Sequence, residues 1–294
     1  LVHPALLVVD KPIGPTSHDV VNVVRRGTGI RKTGHTGTLD PSASGVLVVL
    51  LGGATRLAEY LLEADKEYQA VVRFGQSTTT LDATGQITGT SPVRFSEEQL
   101  LEALAAFRGE TLQVPPAYSA VKVEGRRAYD LARKGETVEL EPRKVQIYSI
   151  DLREWSSPEA AIQVRCSRGT YLRALARDLG ERLQSHAHLI ALRRLRLGPF
   201  RVEQAIPLSE LQSRFADGAW QEVTLPATAV LEGWTRVDLS AELVDALRRG
   251  ISVPGGTEAA GRAMGVGPGG ELVAILEGDP RSQAWQPRKV FMDL

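Results

Sequence analysis

The chain lacks the marks of several large protein classes. A single cysteine, Cys166, excludes a disulfide within the chain and fits a reducing compartment. No Cys/His pattern of the kind zinc needs is present, and the five histidines lack metal-ligand spacing, so no metal is expected. Long apolar runs are missing as well: Leu6–Val9 and Val46–Leu51 fall far short of the roughly 20 residues a membrane helix requires. No basic segment followed by a long apolar stretch opens the chain, so no signal peptide is visible and a cytoplasmic protein, free of membrane, is expected. Nor is one charge in excess, because 35 Lys and Arg balance 35 Asp and Glu. Taken alone, that balance argues against a nucleic-acid binder.

What is present points the other way. Arg25, Arg26, Arg31 and Lys32 stand in residues 25–35 without an acid, and Arg193, Arg194, Arg196 and Arg201 do the same in residues 193–201. Residues 122–134 and 165–182 each hold five basic and two acidic side chains, so the acids are concentrated elsewhere. Arg outnumbers Lys, and its planar fork suits bidentate recognition of phosphate. Brought together by the fold, these segments would make a cationic surface; kept apart, they are solvated faces.

With 43% hydrophobic residues in 294, the chain has ample material for one large or two ordinary domains. Leu6–Val9 reads as a strand, and Ser17 as the N-cap of a helix over about His18–Arg26, with Asp19 in its positive first turn. Val46–Leu51, short, β-branched and bounded by Gly52-Gly53, reads as a buried strand. Ala54–Glu63 has helical spacing. In Tyr68–Phe74 the residues Tyr68, Ala70, Val72 and Phe74 share one face of a strand. Gln76–Gly89 is a loop or irregular hairpin, and Ser96 caps a helix to about Phe107. Val114-Pro115-Pro116 must be extended. Ser119–Val123 suggests a hairpin and Tyr129–Lys134 a helix; Val145–Trp155, Ala160–Arg165 and Leu189–Leu197 read as strands and Thr170–Leu183 as a helix. After Pro226–Trp234 the pattern shifts to a short helix, Ser240–Arg249, and strands at Met264–Val266, Leu272–Leu276 and Lys289–Met292. The irregular alternation favours an α+β fold with a mixed or antiparallel sheet in residues 1–232, followed by a small β-rich domain in residues 233–294.

The stretch Gly34-His35-Thr36-Gly37-Thr38-Leu39-Asp40-Pro41-Ser42-Ala43-Ser44-Gly45 places a carboxylate and an imidazole on a turn-rich loop anchored to a buried strand. An isolated Asp-Pro would simply start a turn. Three further segments change that reading: Lys66-Glu67-Tyr68 with Gly75, Thr78, Thr80, Asp82 and Gly85; Gln113-x-Pro115-Pro116-x-Tyr118-Ser119-Ala120-x-Lys122 with Gly125 and Tyr129; and Cys166-Ser167-x-Gly169-Thr170-Tyr171-x-Arg173 with Asp178-Leu179-Gly180 and Leu192-Arg193-Arg194-Leu195. In this order and spacing, over roughly residues 6–200, they resemble the bacterial TruB family of tRNA pseudouridine synthases. The tail, ending Pro287-Arg288-Lys289-Val290-Phe291, is similar to the small PUA-type RNA-binding domain such enzymes carry. Ser44, Arg56 and Phe74 depart from the family's usual threonine, lysine and leucine.

The resemblance implies conversion of a uridine in the T-loop of tRNA to pseudouridine, with base flipping and without cofactor, metal or an obligatory protein partner, by a monomer acting on the T-arm. It makes Asp40 the essential carboxylate, acting as nucleophile or as base toward the ribose C2′ hydrogen. Arg173 keeps that carboxylate ionised. Independently, Arg173 falls in the first turn of a predicted helix, where the dipole disfavours a cation unless an anion meets it. Tyr68, a core aromatic by pattern alone, becomes the residue that stacks on the target base and helps remove the C5 proton. His35 fills the stack the flipped base leaves, and Tyr171 lines the uracil pocket. Lys11, Lys122, Arg193 and Arg194 become phosphate or structural contacts, and Leu195 a support for the base. A phosphate-accepting aspartate would want a metal and further carboxylates nearby. A non-catalytic RNA-binding module gives no reason for a carboxylate among the basic segments. The family's guide-RNA relative is disfavoured by the length of residues 82–142.

Overall fold

Two apolar stretches, Ala5–Lys11 and Ala43–Leu51, pair antiparallel along their whole length, with Leu7 opposite Val49 and Val9 opposite Leu47. Both are covered on both faces, which is why their sequences run apolar instead of alternating. In the computed structural model, which describes residues 5–119, 121–123, 125–128, 131, 140–256 and 259–291, this pair is one wall of a large mixed sheet. In chain order the elements are β1 (Ala5–Lys11), α1 (Ser17–Thr28), β2 (Thr33–Thr36), β3 (Ala43–Leu51), α2 (Ala58–Glu63), β4 (Lys66–Phe74), α3 (Glu97–Ala105) and β5 (Gly109–Gln113). There follow β6 (Arg143–Ser156), β7 (Glu159–Cys166), α4 (Leu172–Arg182), β8 (Ala187–Leu197), α5 (Leu208–Ala216), β9 (Thr235–Asp238), α6 (Ala241–Arg248), β10 (Gly261–Val266), β11 (Leu272–Asp279) and β12 (Ala284–Val290).

The main sheet runs β1-β3-β8-β4-β7-β6-β5, with the short strand Ile206–Pro207 outside β1. β3 and β8 pair parallel while β8, β4, β7, β6 and β5 are antiparallel to their neighbours, so the fold is the expected mixed α+β type. The inward face of β4, carrying Tyr68, Ala70, Val72 and Phe74, packs against α3 and α4 through Leu100, Leu104, Leu172, Leu175 and Leu179. On the other half of the sheet, Leu7, Val9, Leu47 and Val49 face α1 and α5. The opposite face of β1 and β3 meets Leu57, Leu61 and Leu231. Cys166 is fully buried in the first of these cores, and burial pushes its thiol up to about 12, leaving it protonated and inert.

The second sheet, β9-β10-β11-β12 with Val253–Pro254 at its edge, wraps α6 and has its own core around Val244, Leu247, Val273 and Trp285. It docks on the first domain through Leu272, Ile275 and Phe291, which join the cluster of Leu6, Leu50 and Leu231. Around that patch the Arg56 guanidinium lies 5.1 Å from the Phe291 ring centre and donates to the Val290 carbonyl. Lys289 reciprocates, pairing with Glu59 and donating to the Arg56 carbonyl at 2.9 Å. A cavity of about 530 Å³ at the same junction is lined by Tyr60, Glu63, Arg196, Trp234 and Arg262.

Several boundaries differ from expectation for local reasons. The cap of α1 is Thr16, not Ser17: the Thr16 side chain accepts from the Asp19 N–H, and Asp19 reaches back to the Thr16 N–H. The stretch Gly52–Leu57 is 3₁₀, so the α-helix proper begins at Ala58. The strand expected at Lys289–Met292 is β12, ending at Val290. β5 and α5 were not anticipated; β5 alternates weakly because it is a half-exposed edge strand. The helix expected over Tyr129–Lys134 lies outside the described residues apart from Leu131.

The pairing of β3 with β8 depends on one glycine. Gly45 has φ +103°, and a Cβ there would stand 2.2 Å from the Arg194 carbonyl oxygen of the neighbouring strand. Gly45→Ala should therefore cost about 2–5 kcal/mol of stability by strain and overpacking. Urea denaturation measures it; a change below about 0.5 kcal/mol would mean the two strands are not in this contact.

Candidate active site

The Asp40 loop is held in shape from both ends of the preceding turn. Ser17, fully buried at the start of α1, donates its hydroxyl to the Leu39 carbonyl at 3.0 Å and accepts the Leu39 N–H at 2.8 Å. The Gly14 N–H meets the Pro41 carbonyl at 2.9 Å, and the Ala43 N–H meets the Asp40 carbonyl at 3.0 Å. Asp40 is thereby aimed at α4.

There it meets Arg173, whose Nη2 lies 3.0 Å from Asp40 Oδ2. Two carbonyl acceptors fix the guanidinium, Tyr118 at 2.9 Å and Thr80 at 3.1 Å, and a second carboxylate, Asp82 Oδ2, stands 3.9 Å from Nε as an ion-pair partner. Arg173 sits in the first turn of α4, which has no side-chain N-cap, so these anions and carbonyls offset an unfavourable dipole. The pair is asymmetric: the Arg173 side chain is 8% exposed and Asp40 40% exposed. The cation is buried, and the carboxylate opens to solvent.

Register brings the next residues together. Arg194 on β8 lies opposite Gly45 on one side and Tyr68 on the other. Its guanidinium, almost fully buried, donates from Nε to the Val46 carbonyl at 2.7 Å and from Nη2 to the Gly37 carbonyl at 2.8 Å. Its charge also lowers the pKa of the Tyr68 hydroxyl, though burial, the larger effect, raises it. Arg194 therefore braces the Asp40 loop and orients the phenol from inside the protein. His35 on β2 is neutral at pH 7, because burial, then Arg194, then His18 push its pKa down; its Nδ1 is buried with no hydrogen-bond partner.

The other candidates scatter by role. Tyr171 is the residue at the head of α4, its peptide gripped by the buried Gln113: the Tyr171 N–H donates to Gln113 Oε1 at 2.8 Å, and Gln113 Nε2 donates back to the Tyr171 carbonyl at 3.2 Å. Arg193 forms a two-pronged ion pair with Asp10, at 2.7 and 3.1 Å. Leu195 is half-buried at a bulge of β8. Lys122 lies in a two-residue strand paired with Arg126–Arg127, and its side chain is outside the described residues. Asp82 and Gln113 were not singled out as site residues from sequence. A lone carboxylate between Thr80 and Thr84 was the available signal, since Asp82 Oδ1 accepts from both hydroxyls and from the Thr84 N–H. Among the described residues no group of three or more His, Cys, Asp or Glu is arranged to hold a metal.

Solved structures of an H/ACA RNP bound to a substrate RNA containing 2′-deoxyuridine and of a Cbf5-Nop10-Gar1 complex contain chains superposing with TM-scores of 0.74 and 0.76. These are 27% and 30% identical in sequence, and each match covers 98% of this chain and 85% of the other. The sequence profile of the TruB family pseudouridylate synthase N-terminal domain matches residues 25–172, and that of the tRNA pseudouridylate synthase B C-terminal domain matches residues 173–232. A protein of Solibacter usitatus (strain Ellin6076) named tRNA pseudouridine synthase B is 44% identical over 92% of this chain and 94% of its own. Its namesake from Sodalis glossinidius (strain morsitans) is 39% identical over 93% of this chain and 87% of its own. The fold is that of the pseudouridine synthases, enzymes that isomerise uridine. Within them, this chain belongs to the TruB family of pseudouridylate synthases.

One buried cation gives the site a measurable signature. Lys11 is fully buried, donating to the Pro12 carbonyl at 2.9 Å. Burial pushes its pKa down from 10.5 to about 8, with Asp40 opposing and Arg194 reinforcing the shift. Between about pH 8 and 10.5 the unfolded chain thus holds the lysine proton that the folded chain has lost, so stability rises with pH. Relative to Lys11→Met, the wild-type unfolding free energy should climb across that window in urea titrations. Parallel curves would mean Lys11 is solvated.

Proposed function

We propose that the protein converts a uridine in the T-loop of tRNA to pseudouridine, with Asp40 as its essential carboxylate, and that it does so without a protein partner. The observation that carries this is the Asp40–Arg173 pair, a half-open carboxylate on a buried guanidinium. The relatives at 39–47% identity that bear the name tRNA pseudouridine synthase B support the choice of tRNA. Exposed Arg26, Arg31 and Lys32, at the corner between α1 and β2, supply phosphate contacts without competing acids nearby in sequence.

The reaction breaks the bond between ribose C1′ and uracil N1, turns the base, and joins C5 to C1′; C5 loses a proton and N1 gains one, so the product is an isomer. The uridine reaches Asp40 only after leaving its stack, which costs a few kcal/mol. Stacking on an aromatic face returns about 1–3 kcal/mol per base, and Tyr68 is the aromatic ring beside the pair. Asp40, paired with Arg173, attacks the sugar or removes its C2′ hydrogen. The C5 proton passes to the Tyr68 hydroxyl oxygen as the phenol releases its own proton to water, beside the Arg194 cation. His35, neutral and with a free ring nitrogen, supports the vacated stack. The second domain, PUA-like in this reading and spanning residues 233–294, extends the RNA-binding surface. The chain works as a monomer.

Incubating the protein with a T-arm stem-loop and mapping modified uridines tests this directly. Asp40→Asn should bind that RNA with near wild-type affinity and release no product, and normal turnover would refute the assignment. Tyr68→Phe should lose turnover far more than affinity; a dominant loss of affinity would make Tyr68 a binding residue only. Apparent affinity should fall steeply with salt. A flat response would mean the basic segments face away from the RNA.

A further inference from the structure

Three described residues other than glycine have positive φ: Leu81, Gln184 and Gln283. Two have ordinary local explanations. Gln184 follows the end of α4, where the Ser185 N–H turns back to the Gly180 carbonyl at 2.9 Å, and Gln283 lies in the turn between β11 and β12. Leu81, at φ +61°, also lies in a turn, but of the three it alone is flanked by two partners of Arg173. It is a leucine, a residue for which the left-handed region is disfavoured, and it occupies a turn that the chain could have filled with glycine or asparagine.

Its neighbours explain the position. Thr80, immediately before it, offers its carbonyl to Arg173 Nη1 at 3.1 Å. Asp82, immediately after, presents Oδ2 at 3.9 Å from Arg173 Nε. Both groups therefore address one guanidinium, and the torsions of Leu81 set their relative direction. Moving φ to an ordinary negative value would rotate one against the other by roughly 120° or more. The turn cannot absorb that rotation elsewhere. The Leu81 carbonyl accepts the Leu189 N–H at 3.0 Å, and the Ala83 N–H donates to the Leu189 carbonyl at 3.0 Å, so residues 81–83 are pinned to β8. On the other side, the Leu81 N–H meets the Thr78 carbonyl at 3.2 Å, and the Thr78 hydroxyl meets the Asp82 carbonyl at 2.7 Å.

We propose that Leu81 is a positioning residue for the reaction: its left-handed backbone aims the Thr80 carbonyl and the Asp82 carboxylate together at Arg173, and so holds the guanidinium in place for Asp40. This rests on the function proposed above, in which Arg173 sustains the Asp40 carboxylate. Strained backbone at a functional site persists where the surroundings over-determine it, and here four hydrogen bonds do so.

The test exploits two opposite rankings. If the backbone torsion matters, residues that enter the left-handed region readily, glycine and asparagine, should serve at position 81, and β-branched residues should fail. If an apolar side chain matters, valine and isoleucine should serve, and glycine and asparagine should fail. Each variant is assayed on a T-arm stem-loop for kcat and KM, with Tm recorded. Leu81→Asn and Leu81→Gly are expected to keep kcat within about twofold, whereas Leu81→Val and Leu81→Ile lose on the order of tenfold to a hundredfold in kcat with KM little changed. Should the β-branched variants not fold, Leu81→Ala against Leu81→Asn decides, with alanine the slower. The reverse ranking, equal activities throughout, or losses that merely track Tm would overturn the proposal. Wild-type protein that forms no pseudouridine on this RNA would instead overturn the function it rests on.

Discussion

Everything in the site hangs on one guanidinium that is buried before any substrate arrives. Arg173 lies in the first turn of α4, against the helix dipole, and would be intolerable there without acceptors. Three segments distant in sequence supply them: the Asp40 loop, the turn at Thr80–Asp82 and the stretch ending at Tyr118. The arginine is thus the knot that ties the catalytic domain's loops together. Its remaining consequence is chemical, since it presents a fixed positive charge to a carboxylate that stays open to solvent. The pair is buried on one side only. A carboxylate that is 40% exposed keeps much of its hydration, so the full penalty of a stranded buried charge does not apply to it.

A second cation works from behind. Arg194 is buried deeper still and touches the loop at Gly37, the strand at Val46 and the phenol of Tyr68. The sequence reading offered it as one of several basic residues making phosphate or structural contacts. In the structure, Arg193 is tied to Asp10 and Arg194 is enclosed by backbone carbonyls, so the run of arginines at residues 193–196 braces the sheet interior. Charge density along a sequence does not say which way a strand turns its side chains. The register of β8 against β3 and β4, interrupted by two bulges, decides that.

The legible parts were those carried by local pattern. Alternation in Tyr68–Phe74, the cap at Ser96, and the apolar run of β3 all reappear as elements with the expected buried faces. What stayed hidden depends on distant partners. Ser17 looks like a cap, but Thr16 takes that role and frees the Ser17 hydroxyl to clamp Leu39, 22 residues away. Gln113 is an unremarkable polar residue on an edge strand until its amide is seen gripping the Tyr171 peptide. Asp82 reads as a turn residue among threonines, and only the fold shows it facing the same cation as Asp40.

The two domains add a constraint of their own. Arg56 and Lys289 each donate to the other's segment across a shared apolar patch, so the second domain is fastened to the region beside α2 instead of hanging from a linker. The central claim concerns the fork geometry of Arg173, and the sharpest test changes that geometry while keeping the charge. Single-turnover pseudouridine formation by Arg173→Lys on a T-arm stem-loop measures it. A rate lower by on the order of a hundredfold, with RNA affinity kept within a few-fold, is the predicted result. An unchanged rate would contradict the account, because a lysine cannot reach the Asp40, Thr80 and Tyr118 acceptors at once.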